Sequence, residues 1–346
     1  MNSNQEVDNN EESDYENPNS SELRETEPVE LHESIISAKH LTKKFGDETA
    51  VSDISFEIPR ASIFGFIGPS GSGKTTTVRL LTGVAKPTEG EVTVLDRKPS
   101  EFTQRERTQL GYMPQLFVLY PNLTVWENVN FAASLYGMMG WRRTKRLKEA
   151  LQFVELYEHR DKLARNISGG MQRRLSLAAT LVHDPQILFL DEPTAGIDPI
   201  LRHKFWEHFR ELKEQGHTIF ITTQYVSEAD NCDLVGVQNS GKLILVDTPQ
   251  GLRHHAYGGD VVDLQTTEPL DYKAEGLLRS LPFVRANTFR TGPNSMRIIV
   301  DEASTDIPEL MSWAQEQNID VKTLDEYTPS FEDVFVELVH PEVEDE

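Results

Sequence analysis

The sequence predicts an α/β fold built on a parallel sheet covered by helices, followed by a small α+β appendage over residues 251–340. Three observations lead there. From residue 35 to about residue 240, short β-rich runs alternate with helix-like stretches. The runs at 187–190 and 219–221 are apolar without alternation, as strands buried on both faces are. Beyond residue 250 the texture changes to alternating strands around one helix.

In chain order, residues 1–34 come first. They carry acids at 6, 8, 11, 12, 14, 16, 22, 25, 27, 30 and 33 against one base, Arg24. Few large apolar residues are present, so ordering this segment would not be repaid by burial, and it reads as a disordered acidic tail. Residues 35–250 hold the alternating pattern. "GEVTVLD" at 90–96, "QILFLD" at 186–191, "HTIFITT" at 217–223 and "LVGVQNSGKLILVDTP" at 234–249 read as strands. The stretches 141–156 and 200–216 read as amphipathic helices, the second stopped by Gly216. In the appendage, "DVVDLQTT", "VRANTFRT" and "SMRIIVDEA" read as strands and "DIPELMSWAQEQN" as a helix; a second acidic tail occupies 341–346. No internal repeat is visible.

Bulk properties limit what the chain does. Its 346 residues suit about two domains. A formal net charge of −22 opposes nucleic-acid binding, which needs Lys and Arg to neutralise phosphates. The one cysteine, Cys232, excludes an internal disulfide and any Cys-based zinc site. No secretory leader is visible, and no window approaches the ~20 apolar residues of a membrane span.

The chemistry concentrates in two places. Gly68, Pro69, Ser70, Gly71, Ser72, Gly73, Lys74 and Thr75 fit G-x-x-x-x-G-K-[ST], with the apolar run "IFGFI" before it and a helical pattern after it. Glycines let successive N–H groups point inward at an anion, and the helix adds its positive end. Lys74 supplies a point charge for β- and γ-phosphates, and the Thr75 hydroxyl is a hard ligand for Mg2+. Asp191 then ends a second apolar run, in "ILFLDEP", and Glu192 follows it. Asp191 is placed to hold Mg2+, and Glu192 to polarise an attacking water. Acids at a strand's C-terminal end are where ligand sites of open α/β sheets lie.

With these motifs in place, "NISGGMQRR" at 166–174 resembles the signature of ATP-binding cassette (ABC) proteins. Gln115 in "YMPQ", "AGID" at 195–198, "TTQYVSEAD" at 222–230 and Phe45 in "LTKKFG" match further family elements in order. The resemblance covers about 36–250. "TPSFEDVFVELV" at 328–339 resembles the C-terminal extension of exporter nucleotide-binding subunits, and "TTQY" resembles the daunorubicin-resistance (ABC-2) type.

The resemblance implies a P-loop NTPase core: a mixed sheet with flanking helices, a helical signature subdomain and an N-terminal antiparallel β part. It implies ATP and Mg2+ as ligands. Phe45 would stack on adenine, residues 70–76 including Thr76 would wrap the phosphates, and Gln115 would touch Mg2+ or the water. Ser168, Gly169 and Gly170 would reach the γ-phosphate held by a second cassette, and Asp198 would lie at that interface. Plainer readings stand beside these: Phe45 as a core residue, Gln115 and Asp198 as turn residues, Ser168 as a helix cap. Trp126 reads as a packing or surface residue, His183 and His217 as core or surface histidines without metal-type neighbours, and Cys232 as a small buried apolar residue.

One position departs from the family pattern. Gln224 stands where a His is usual; an amide can donate to a γ-phosphate but cannot take up a proton. Slow to moderate ATP hydrolysis is the expectation. Implied partners are a second identical or different cassette and an ABC-2-type membrane permease, at the cytoplasmic side of the cell membrane. Two competing readings are a regulatory cassette with little turnover and a soluble ABC ATPase acting on ribosomes or DNA.

Overall fold

A computed structural model describes residues 33–116, 118–285 and 288–339. Both expected acidic tails fall outside the described residues, apart from Glu33 and Ser34. The chain opens with β1 (Ser34–Phe45), β2 (Glu48–Pro59), β3 (Ile63–Ile67), α1 (Lys74–Leu81), β4 (Glu89–Val94), α2 (Gln104–Thr108) and β5 (Leu110–Met113). It continues with α3 (Val125–Leu135), α4 (Gly140–Phe153), α5 (Gly169–Leu181), β6 (Ile187–Asp191), α6 (Pro199–Glu214), β7 (Thr218–Thr223), β8 (Leu234–Asn239), β9 (Lys242–Asp247) and α7 (Pro249–Tyr257). Then come β10 (Asp260–Thr266), α8 (Tyr272–Arg279), β11 (Phe289–Gly292), β12 (Ser295–Val300), α9 (Ala303–Glu316), β13 (Val321–Glu326) and α10 (Phe331–Val339). The strand expected over 284–291 is narrower than its pattern suggests: Val284 forms an isolated bridge with Val300, and only Phe289 onward enters the sheet.

The central sheet has the order β5-β6-β7-β3-β8-β9. All its pairings are parallel except the β8–β9 hairpin. The absence of alternation in its strands now has its cause, because both faces are covered. Side chains still alternate in direction. Phe64, Phe66, Phe189 and Phe220 enter one core cluster; Ile63, Ile67, Leu188, Leu190, Ile219 and Ile221 enter another. On the phenylalanine face the antiparallel sheet β2-β1-β4 closes the layer, with Phe56 stacked on Phe64 at 5.7 Å and Phe64 on Phe220 at 5.3 Å. Full burial of each such side chain stabilises by roughly 1.5–3 kcal/mol. The opposite face is covered by α5 and α6, and α3 and α4 pack against the same cluster.

The appendage is β10-α8-β11-β12-α9-β13, a βαββαβ unit with strand order β11-β12-β10-β13. It has its own core, including Val262, Leu264, Ile298, Leu310 and Trp313. The flanking helices belong elsewhere. Leu252 of α7 and Phe331 and Val334 of α10 enter the cluster under the central sheet. The chain therefore leaves the first core after α7 and returns to it at α10, a closure that sequence spacing did not foretell.

Candidate functional site

The sheet brings the chemistry together. β7 lies between β3 and β6, with Ile67 paired to Thr223 and Asp191 to Thr222. The loop leaving β3, the acids ending β6 and Gln224 after β7 thus share the C-terminal end of one sheet.

The loop's shape follows from its glycines. Gly73 sits at φ 106°, and a side chain there would meet the Ala50 carbonyl at 2.3 Å. Gly68 lies so close to the Gln238 carbonyl that a Cβ would stand 2.0 Å from it. No side chain caps α1, so its first N–H groups remain turned toward the loop. Lys74 is buried, and its ammonium donates to the carbonyls of Gly68 (2.8 Å) and Pro69 (2.9 Å). Burial lowers the Lys74 pKa, while the charges of Glu192 and Asp191 pull it back up. An anion entering the loop would offer this ammonium stronger acceptors than two carbonyls.

Thr75 Oγ1 lies 3.3 Å from Asp191 Oδ1, and the Thr222 hydroxyl donates to the same oxygen at 2.5 Å. The other oxygen, Asp191 Oδ2, is buried with no hydrogen-bond partner. A buried carboxylate oxygen left over beside a threonine hydroxyl suits a hard cation. Among the described residues no three His, Cys, Asp or Glu side chains could hold a metal together.

Glu192 adopts φ 52°, the left-handed region that non-glycine residues seldom occupy. Its N–H donates to the Thr222 carbonyl (3.0 Å) and hydroxyl (3.2 Å). Its carbonyl accepts from Ala195 N–H (3.3 Å) and from the Arg173 guanidinium. A second Arg173 nitrogen donates to the Gln115 carbonyl at 3.4 Å.

One cavity of about 500 Å3 is lined by Phe45, Ser70, Gly71, Gly73, Lys74, Thr75, Thr76, Gln115 and Glu192. Glu48, Thr49, Ala50, Ser240 and Gly241 complete the lining. Phe45 is 51% exposed at the rim, which excludes the core-residue reading. Gly68, Pro69, Ser72, Asp191, Ser168, Gly169, Gly170, Asp198 and Gln224 do not line it. Asp191 reaches the cavity's edge through Thr75. Ser168 caps α5 and accepts from Met171 N–H (3.3 Å); Asp198 caps α6 and accepts from Leu201 N–H (3.0 Å). A side chain at Gly170 would meet the Gly196 carbonyl at 3.5 Å, so the two caps belong to neighbouring loops. Gln224 is exposed just beyond β7. His183 and His217 bond the carbonyls of Leu110 and Pro185, as packing residues do.

Sequence reasoning missed Thr222 and Arg173. Both sit inside motifs that were legible, "TTQY" and "NISGGMQRR". Helix phase separates the two arginines: Arg173 turns inward, whereas Arg174 bonds the Val154 carbonyl.

The ABC transporter family model matches residues 51–195. The linearmycin resistance ATP-binding protein LnrL of Bacillus subtilis is 31% identical over 305 residues, 88% of this chain and 98% of LnrL. The chain belongs to the ABC transporter family. "Probable multidrug ABC transporter ATP-binding protein YbhF" of Escherichia coli is 41% identical over 221 residues, 64% of this chain. The cassette spans only 38% of YbhF's length. Among solved structures, a dimeric ATP-binding cassette in a post-hydrolysis state, bound to ADP and Pi, has a TM-score of 0.58 and 28% identity. That match covers 62% of this chain and 98% of the other. Among the described residues no helix is long and apolar enough to cross a membrane.

Proposed function

We propose that the chain is the ATP-hydrolysing subunit of an ABC exporter. The observation that carries this is the single cavity where Lys74, Thr75 and Glu192 converge beside the uncommitted oxygen of Asp191. Residues 68–76 would cradle the phosphates, with Lys74 on the β- and γ-oxygens and Phe45 against the adenine. Mg2+ held by Thr75 and Asp191, with Gln115 at its edge, would neutralise phosphate charge. Glu192 would orient a water in line with the γ-phosphorus and accept the proton the water sheds on attack. Gln224 would donate to the γ-phosphate. Ser168, Gly169 and Gly170 of a second cassette, identical or different, would complete the anion's surroundings, with Asp198 at the interface.

In this reading residues 35–250 work as the cassette, and 251–340 form an accessory domain tied back by α10. The partner that moves is an ABC-2-type permease, and the cassette sits against it at the cytoplasmic face of the membrane. Two features support a docked partner. Leu116 and Val118 are exposed beside Gln115, and Leu135, Met139 and Trp141 are exposed where α3 passes to α4. The names of LnrL and YbhF support export of drug-like molecules. The test is Glu192→Gln: ATP affinity stays within about 2-fold while phosphate release falls by 100-fold or more, on the order of what removal of such a group costs. Unchanged turnover would remove Glu192 from this role.

A further inference from the structure

The geometry points to Arg173 as a positioning residue that locks the Glu192 and Gln115 backbones to one another. The inference rests on the reading above only in taking Glu192 as the group that orients water. Arg173 lies in the second turn of α5, 9% exposed, on the helix whose Leu175, Leu177 and Ala178 enter the first core. Its two terminal nitrogens reach two different loops: one donates to the Glu192 carbonyl, the other to the Gln115 carbonyl. A planar guanidinium holds two terminal nitrogens in a rigid fork, one toward each acceptor, whereas an ammonium is a single nitrogen on a flexible stem. Burial lowers the Arg173 pKa, and the Glu192 and Asp191 charges only partly oppose that shift.

The need for such a lock is visible at Glu192. A side chain held at φ 52° stays there only when its surroundings over-determine it. The peptide before Glu192 is held by β7, through the Thr222 carbonyl and hydroxyl. The peptide after it is held by Arg173 and the Ala195 N–H. Without Arg173 the second peptide plane has only the 3.3 Å bond from the Ala195 N–H, and the carboxylate loses its fixed aim. The same change frees the Gln115 backbone. The clamp has a further property: α5 is capped by Ser168, whose neighbours face a second cassette in the proposed dimer. Five residues on, roughly 7.5 Å along the axis, the same helix grips the acid of its own cassette. Movement of α5 would therefore be felt at Glu192.

The test uses the full chain with Arg173→Met and Arg173→Lys. In nucleotide-free protein, amide hydrogen exchange over residues 191–196 should quicken by about 10-fold or more in R173M, while β3 and β7 keep their protection. KM for ATP should stay within about 2-fold, and kcat should fall on the order of 100-fold, the usual cost of a displaced reacting group. R173K keeps the charge but replaces the rigid two-nitrogen fork by one nitrogen on a flexible stem, so both effects should be intermediate. If R173M does not fold, R173K decides alone. Exchange and kcat equal to wild type in R173K would overturn the proposal. So would loss of protection across the whole chain with kcat and KM shifting together, which would mark a purely structural arginine. Should the wild-type chain not hydrolyse ATP, the ATPase reading fails, and the exchange data still decide the clamp.

Discussion

Replacing Thr222 with Val tests how the acidic end of β6 is held. Thr222 is fully buried, and Val has the same branched outline with a methyl in place of the hydroxyl, so the change is polar rather than one of volume. What disappears is one hydroxyl with two duties. It donates to Asp191 Oδ1 at 2.5 Å and accepts the Glu192 N–H at 3.2 Å. The second loss is small, because that N–H keeps the Thr222 carbonyl at 3.0 Å. The first is a hydrogen bond to a charged group, which stabilises by about 1.5–3 kcal/mol. Asp191 is 1% exposed and would retain only the longer Thr75 contact among its hydroxyl partners. Denaturant unfolding of metal-free protein should therefore show T222V less stable by about 2 kcal/mol. Asp191 would also lose its orientation toward a cation. The Mg2+ concentration for half-maximal ATP turnover should rise about 10–100-fold, as it does when an outer partner of a metal ligand is removed. Equal unfolding midpoints and equal Mg2+ dependence in the two proteins would refute the idea that this hydroxyl aims Asp191.

Two further predictions concern a histidine and a glutamine. His183 stacks on Tyr136 at 3.5 Å, bonds the Leu110 carbonyl, and is pushed by burial down to about 4. Its folded value lies below the ordinary 6.5, so the unfolded chain binds the extra proton between about pH 6.5 and 4. Its stabilising contribution is complete above pH 6.5 and is lost as pH falls through that window, by about 3 kcal/mol in all. His183→Gln should flatten this part of the stability–pH curve; parallel curves would count against it. Gln224→His should raise kcat several-fold at unchanged ATP affinity and add a pH inflection near the histidine range, roughly 6–7. Lower turnover in Q224H would show that the amide is the better group here, and a silent wild type revived by it would favour the regulatory reading.

How much of the site could be read in advance follows from how local each feature is. The loop at 68–75 is a run of consecutive residues whose glycines meet a backbone requirement, and its Lys and Thr follow at once. Asp191 and Glu192 mark the end of an apolar strand, again a local pattern. Phe45, Gln115 and Ser168 came from resemblance, and their settings were decided elsewhere. Phe45 lines the rim because β1 runs out past the loop; Ser168 and Asp198 cap helices on neighbouring loops away from the cavity; Gln224 stands exposed after β7. The α7–α10 closure was hidden because "FEDVFVEL" shows only an amphipathic helix, not the core its apolar face joins.

The amide at residue 224 stands out only against the family pattern, but the sequence by itself determined the parallel α/β layer, the glycine-rich loop and the acidic pair. These are properties of neighbours along the chain, governed by side-chain periodicity and backbone freedom. Only the tertiary structure decided that Thr222 serves an aspartate 31 residues away, that Arg173 joins the carbonyls of residues 115 and 192, and that the last helix returns to the first core. Hydrogen bonds act over about 3 Å, and which distant groups come that close depends on strand order and helix phase, which no local spacing records.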